Sequence, residues 1–252
     1  MNLRISIIQT ELIRQDKTAC LKLFEDKIAS IGETDLVVLP EMFSTGFDIS
    51  NTDLAESIEG ETMVCIKKWS KTYNTAICGS FFCVSENRFY NRFFFITPDG
   101  KSYFYDKRHL FIGDEKKIFT SGENRLIINY KGVRFLPVIC YDIRFPIWCR
   151  NRDDYDVLIC VANWPEVRRD AWTTLVRARA IENASYAVAC NILGNDLHER
   201  YHSGHSLLVD YKGKTEDLEN NDCCRTYTID TERLAEFRKK FPVLNDRDTD
   251  EK

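Results

Sequence analysis

Three short segments of this 252-residue chain each carry one reactive side chain directly after an apolar, strand-like run. Phe135-Leu136-Pro137-Val138-Ile139 leads into Cys140, Leu36-Val37-Val38-Leu39-Pro40 into Glu41, and Tyr103-Phe104-Tyr105-Asp106 into Lys107. A strand end suits a nucleophile. The sheet fixes its backbone, the turn exposes its side chain, and free backbone N–H groups lie nearby to meet a developing oxyanion. Singly, each residue has a plainer explanation: a structural thiol, a loop carboxylate, a solvated cation. Together they form a chemistry. A thiol with a pKa near ~8.5 is only slightly ionised at neutral pH and needs a base or a cationic neighbour. A buried carboxylate can take its proton, and a lysine can stabilise the charge of a tetrahedral intermediate. Such a reaction needs neither histidine nor metal nor cofactor. His109, His198, His202 and His205 have no HExxH or similar ligand spacing.

The elements that must position these residues alternate along the chain. Strands are expected at Leu3–Ile8, 35–39, Thr75–Val84, Phe93–Thr97, Ser102–Tyr105, Arg125–Asn129, Val133–Ile139, Asp156–Ala162, Tyr186–Asn191, Ser206–Val209 and Thr226–Ile229. Helical spacing marks Gln15–Ile31, the face Met63, Ile66, Trp69, Tyr73, the face Trp172, Leu175, Val176, Ile181, and Glu232–Lys240. Pro98-Asp99-Gly100 reads as a turn. This mixture gives an α/β or layered α+β fold. Several strands have few polar breaks, as when both sheet faces are covered.

Composition narrows the function. A hydrophobic content of 44% supports a sizeable core, and a net charge of −4 argues against a nucleic-acid partner. No apolar run approaches the length of a membrane span, and the N-terminal Met1–Ile8 stretch reads as a strand rather than a signal peptide. The ten cysteines include no CxxC pair, and several lie inside apolar runs. They read as free thiols of a cytoplasmic protein. With no linker, residues 1–252 are expected to form a single domain.

The motifs around the three reactive residues, taken in order, resemble the nitrilase, or carbon–nitrogen hydrolase, superfamily. They are Val38-Leu39-Pro40-Glu41, Tyr105-Asp106-Lys107-Arg108-His109-Leu110 and Cys140-Tyr141-Asp142-Ile143-Arg144-Phe145-Pro146, supported by Tyr90-Asn91-Arg92, Ala178-Arg179-Ala180-Ile181-Glu182-Asn183 and Gly204-His205-Ser206. Within that superfamily the chain is most similar to omega-amidases acting on 2-oxoglutaramate-type substrates. The points of similarity are Glu41-Met42-Phe43-Ser44-Thr45-Gly46-Phe47, Asn163-Trp164-Pro165 and Phe237-Arg238-Lys239-Lys240-Phe241-Pro242. The resemblance implies a four-layer α-β-β-α sandwich, a homodimer, and hydrolysis of a small amide through a cysteine thioester with release of ammonia. It assigns Cys140 as nucleophile, Glu41 as general base, Lys107 as oxyanion stabiliser and the Tyr141 N–H as second oxyanion donor. Glu115, seven residues before Gly122, matches a further glutamate of the family, and adjacent Asp114 is a weaker candidate. Ala184 stands after Asn183 where many relatives carry glutamine, a departure expected to touch packing rather than chemistry.

An omega-amidase substrate carries a carboxylate remote from its amide. Arg168, in the loop after the Asp156–Ala162 strand, is the candidate to grip it, since a guanidinium offers two parallel hydrogen bonds; a solvated arginine fits the sequence equally well. Phe43, Phe47 and Trp164 are candidate pocket walls, and Phe145, Ile147 and Trp148 candidate dimer contacts. An N-carbamoyl hydrolase or a nitrilase of the same superfamily would share the first chemical steps. A non-catalytic binding member would lack a catalytic residue, and all three are present.

Overall fold

The computed structural model describes residues 2–14 and 16–248; Gln15, at the expected start of the first helix, lies outside the described residues. Its strands in chain order are β1 (Asn2–Gln9), β2 (Leu36–Val38), β3 (Ala76–Ser85), β4 (Arg88–Ile96), β5 (Ser102–Asp106), β6 (Ile128–Tyr130), β7 (Val133–Ile139), β8 (Val157–Val161), β9 (Tyr186–Cys190), β10 (Leu193–Asn195), β11 (Tyr201–Ser203), β12 (Leu207–Val209), β13 (Thr215–Asp217) and β14 (Cys223–Asp230). The helices are α1 (Lys17–Ser30), α2 (Glu61–Thr72), α3 (Glu115–Ile118), α4 (Pro146–Cys149), α5 (Arg169–Glu182) and α6 (Thr231–Lys240).

Two six-stranded sheets carry the fold, ordered β14-β1-β2-β3-β4-β5 and β13-β12-β9-β8-β7-β6. Each has three parallel strands at its centre, β1-β2-β3 and β7-β8-β9, flanked by antiparallel neighbours. The inner faces share one core, in which Ile5, Ile7, Val38, Phe93 and Phe95 of the first sheet meet Phe135, Ile139, Ile159 and Val188 of the second. Period-two alternation sends the intervening residues outward, where helices cover them. Phe24 and Ile28 of α1 and Met63, Ile66 and Trp69 of α2 pack with Val37, Ile77 and Phe94. Trp172, Val176 and Ala180 of α5 pack with Leu136, Val138, Leu158 and Ala187. The result is a four-layer α-β-β-α sandwich. Each large apolar side chain buried in this way contributes roughly 1.5–3 kcal/mol. Among the described residues no helix is long and apolar enough to cross a membrane, and all ten cysteines are free.

Most expected elements are present with ends shifted by a residue or two, but β4 begins at Arg88 rather than the expected Phe93 and β14 at Cys223 rather than Thr226. The Arg125–Asn129 strand instead begins at Ile128, because the Arg125 guanidinium is tied to Asp154 and to the Arg150 carbonyl in the neighbouring loop. Ala184 is fully buried with φ of +42° just past α5, and its carbonyl accepts Nε of Arg238 at 2.8 Å. Of the three candidate dimer contacts, Phe145 stacks on His109 with centroids 3.7 Å apart, and Trp148 donates to the Tyr105 hydroxyl at 3.1 Å. Only Ile147 of the three is 69% exposed.

Candidate active site

The parallel strands of both sheets deliver their C-terminal ends to one rim, where irregular loops are free to carry chemistry. Glu41 follows β2 by way of Leu39, whose N–H continues the ladder onto the Cys78 carbonyl at 2.8 Å. Lys107 follows β5, and its N–H still pairs with the Asn91 carbonyl of β4 at 3.0 Å. Cys140 follows β7, and Asn163 lies beyond β8. Glu115 begins the short α3. Its distance from Gly122 has a physical reason: Gly122 donates to the Lys107 carbonyl at 2.9 Å, and a Cβ there would stand 2.1 Å from the Asp106 carbonyl oxygen. That close approach returns the loop so that Glu115 faces Lys107.

Glu41, Lys107 and Glu115 are almost completely buried. Nζ of Lys107 donates to Oε1 of Glu41 and to Oε1 of Glu115, each at 2.8 Å. Nδ2 of Asn91 donates to the same Glu41 oxygen at 2.8 Å, and the Asn163 N–H donates to Oε2 at 2.8 Å. Oε2 of Glu115 accepts the Phe111 N–H at 2.7 Å. Burial would push the Lys107 ammonium down, but Glu115 and Glu41 outweigh it and hold the group well above its ordinary value. Burial raises Glu115 above the usual carboxylate range, Lys107 opposing and Glu41 adding to the rise.

Cys140 lies at the strand end with φ of +45°, a left-handed conformation that costs a non-glycine residue of order 1–2 kcal/mol. Asp142 anchors this turn. Its fully buried carboxylate accepts the Ile139 N–H at 3.0 Å, the Tyr105 hydroxyl at 2.7 Å and the His109 N–H at 2.8 Å. The turn that carries Cys140 is thereby tied to the loop that carries Lys107. Tyr141, next in the turn, carries an N-terminal N–H without an intrahelical acceptor. Burial pushes the Cys140 thiol well above its ordinary value, Glu41 and Glu115 raise it further, and Lys107 opposes them. Burial therefore favours the neutral thiol of Cys140 over a preformed thiolate. Iodoacetamide alkylation of Cys140, followed by peptide mass spectrometry, is expected to keep accelerating with pH from about 6 to 9. A plateau beginning below about pH 7 would indicate a preformed thiolate instead.

A cleft opens above these groups. Phe47, Trp164 and Arg168 line it, as do Glu41, Lys107, Glu115, Cys140 and Tyr141. Phe43 does not. It is fully buried beneath the first sheet, edge-on to Phe24 at 5.2 Å and Phe94 at 5.9 Å, so its assignment as a pocket wall is corrected to core packing. Asp114 is exposed and paired with Lys117 at 2.9 Å, away from the cluster. Sequence reasoning missed Asn91, Asn163, Phe111, Arg144, Arg200 and His202. Asn91, Asn163 and Arg144 stand inside the motif stretches, but nothing in their spacing gives the direction of their side chains.

Comparison with known proteins identifies the family. The family model for carbon–nitrogen hydrolase matches residues 4–239. An omega-amidase, YafV, of Escherichia coli strain K12 is 38% identical over 98% of this chain and 97% of its own length. A 2-oxoglutaramate amidase of Bacillus subtilis is 34% identical over 84% of each chain. Among solved structures, a CN-hydrolase superfamily protein of Xanthomonas campestris, with an arsenic adduct in its active site, superposes with a TM-score of 0.96 at 38% identity. That match covers 99% of this chain and 98% of the other. A nitrilase superfamily member of Saccharomyces cerevisiae shares the fold at a TM-score of 0.84 and 24% identity, over 96% and 94% of the two chains. The chain belongs to the carbon–nitrogen hydrolase family, and it is an enzyme that hydrolyses non-peptide C–N bonds.

Proposed function

We propose that the chain is an omega-amidase that hydrolyses the terminal amide of a small carboxylate-bearing substrate such as 2-oxoglutaramate. The observation that carries this reading is the buried ammonium of Lys107 held between Glu41 and Glu115, each at 2.8 Å, in the cleft that Cys140 lines. The similarity to omega-amidases supports the substrate class. Sγ of Cys140 attacks the amide carbon while Glu41 takes the thiol proton. The carbonyl oxygen gains negative charge and is met by Nζ of Lys107 and the Tyr141 N–H. Glu41 then gives its proton to the departing nitrogen, the C–N bond breaks, and ammonia leaves a thioester on Cys140. Water attacks that thioester with Glu41 again as base, and the carboxylate product and free thiol are restored. Glu115 acts through Lys107, holding the ammonium with one oxygen while the Phe111 N–H fixes the other.

Arg168 and Arg144 line the cleft with no carboxylate partner among the described residues; their guanidinium carbons lie over Phe111 and Trp164 at 5.2 and 4.8 Å. They are suited to the substrate carboxylate, since a charge-assisted pair in a partly desolvated site is worth about 2–3 kcal/mol. Arg168→Met is therefore expected to raise KM for 2-oxoglutaramate roughly 30- to 150-fold. Turnover at saturation should fall less, and a neutral amide of similar length should lose little. Equal losses on both substrates would make Arg168 structural. Ammonia release from an amide, a carbamoyl compound and a nitrile decides among the family chemistries.

The ten free thiols support a cytosolic setting, and the exposed Ile147 beside the nucleophile turn supports a homodimer. Sedimentation at micromolar concentration is expected to give about twice the chain mass of 29.5 kDa, and a species at the chain mass alone would refute the dimer.

A further inference from the structure

Strands β10 and β11 form a two-stranded hairpin outside both main sheets. Its base is pinned to the body, where the Leu193 N–H donates to the Thr10 carbonyl at 3.1 Å and the Ser203 hydroxyl binds the Glu166 carboxylate just before Arg168. Its tip is organised by Asp196. Oδ1 of Asp196 accepts the His198 and Arg200 N–H groups at 2.8 and 2.9 Å, and Oδ2 accepts Nε of Arg200 at 2.5 Å. Only Nε of Arg200 is used in this way. Its two terminal nitrogens have no protein acceptor among the described residues, and Arg200 lines the same cleft as Cys140, Arg144 and Arg168.

Charge gives this arrangement a meaning. Lys107, Arg144, Arg168 and Arg200 line the cleft against three carboxylates, those of Glu41, Glu115 and Asp196. Four cations against three anions leave one positive charge, which a single substrate carboxylate neutralises. Burial pushes the Arg168 guanidinium below its ordinary value; the charges of Arg144 and Arg200 add to that, and Cys140 opposes it. Guanidinium groups gathered on one cleft repel one another, and a substrate carboxylate among them relieves that repulsion.

We propose that the β10–β11 hairpin is the specificity arm of this site, with Asp196 orienting Arg200 so that its terminal nitrogens grip the substrate carboxylate beside Arg144 and Arg168. The inference rests on the omega-amidase reading and adds to it a residue pair and a mechanism of selection. Asp196 is a positioning residue. It fixes the plane of the guanidinium before substrate arrives and so reduces the ordering cost of binding.

The test compares kcat/KM for 2-oxoglutaramate with that for pentanamide, a neutral amide of the same carbon count. In Arg200→Gln the ratio of the two is expected to fall on the order of 10- to 100-fold. In Asp196→Asn, which keeps the cation and loosens its orientation, the fall should be smaller, about 3- to 10-fold. Arg200→Lys restores the charge without the planar fork and should recover part of the loss. A second readout needs no turnover: the rates at which iodoacetate and iodoacetamide alkylate Cys140, mapped by mass spectrometry. Their ratio should fall in Arg200→Gln in the same direction. Equal losses on both amides together with an unchanged alkylation ratio would overturn the arm. A wild-type enzyme that prefers pentanamide would overturn the omega-amidase reading instead, and an alkylation ratio that still responds to Arg200→Gln would then leave the arm standing.

Discussion

Cys140→Ala is expected to lower kcat for ammonia release by about 10⁴-fold or more while leaving the fold intact. The size follows from what the residue does. Without a nucleophile there is no thioester, and only binding and the oxyanion donors remain to assist attack by water. The fold should survive because Cys140 is only partly buried at the edge of the core, and its small side chain leaves little void when it becomes alanine. It sits half-buried at the mouth of the cleft, and its strained φ of +45° is imposed by the contacts of Asp142 rather than by its own side chain. An alanine adopts that backbone at similar cost. Cys149 and Cys160 cannot substitute, since both are enclosed by the core beneath α5, and the cleft's lining residues include no cysteine besides Cys140. Activity within tenfold of wild type would remove Cys140 from the mechanism.

Glu41→Gln and Lys107→Met are each expected to reduce kcat by about 10³-fold, for different reasons. A glutamine fills the space of Glu41 and keeps one acceptor for Lys107, but it cannot take the proton of a thiol that burial holds well above its ordinary value. Its NH2 then faces the Asn163 N–H that Glu41 accepts at 2.8 Å, so the variant should be inert and lose about 1–3 kcal/mol of stability. Lys107→Met removes the cation between two buried carboxylates, each 2.8 Å from the ammonium it replaces. Breaking a buried pair in this way costs roughly 3–5 kcal/mol. The two buried carboxylates then repel each other without the cation between them, and the oxyanion donor is gone. Thermal unfolding and single-turnover rates separate the effects: Glu41→Gln should lose rate with the smaller loss of stability, Lys107→Met rate and more stability. A Lys107→Met enzyme of unchanged stability and rate within tenfold of wild type would contradict the cluster.

The sequence made Cys140, Glu41 and Lys107 readable because each terminates a strand whose apolar pattern is unambiguous. Glu115 was reachable only through its spacing to Gly122, whose reason is a backbone contact invisible in composition. Phe43 and Phe47 show where pattern fails. Met42, Gly46 and Phe47 all have positive φ, so the chain reverses twice within a few residues. One phenylalanine is turned into the core and the other into the cleft. Arg200 and His202 could not be placed because residues 193–203 lack alternation; their register is set by Asp196 at the hairpin tip. The exposed polar strand β13 gave no signal for the same reason.

The most direct test of the account is denaturing mass spectrometry of the enzyme quenched during turnover of 2-oxoglutaramate, with the adduct mapped by peptide. The account predicts an acyl increment, substrate minus ammonia, on the peptide carrying Cys140 and on no other. It should accumulate with substrate and vanish in Cys140→Ala together with ammonia release. An adduct on Cys149 or Cys160, or steady ammonia release from Cys140→Ala, would contradict it.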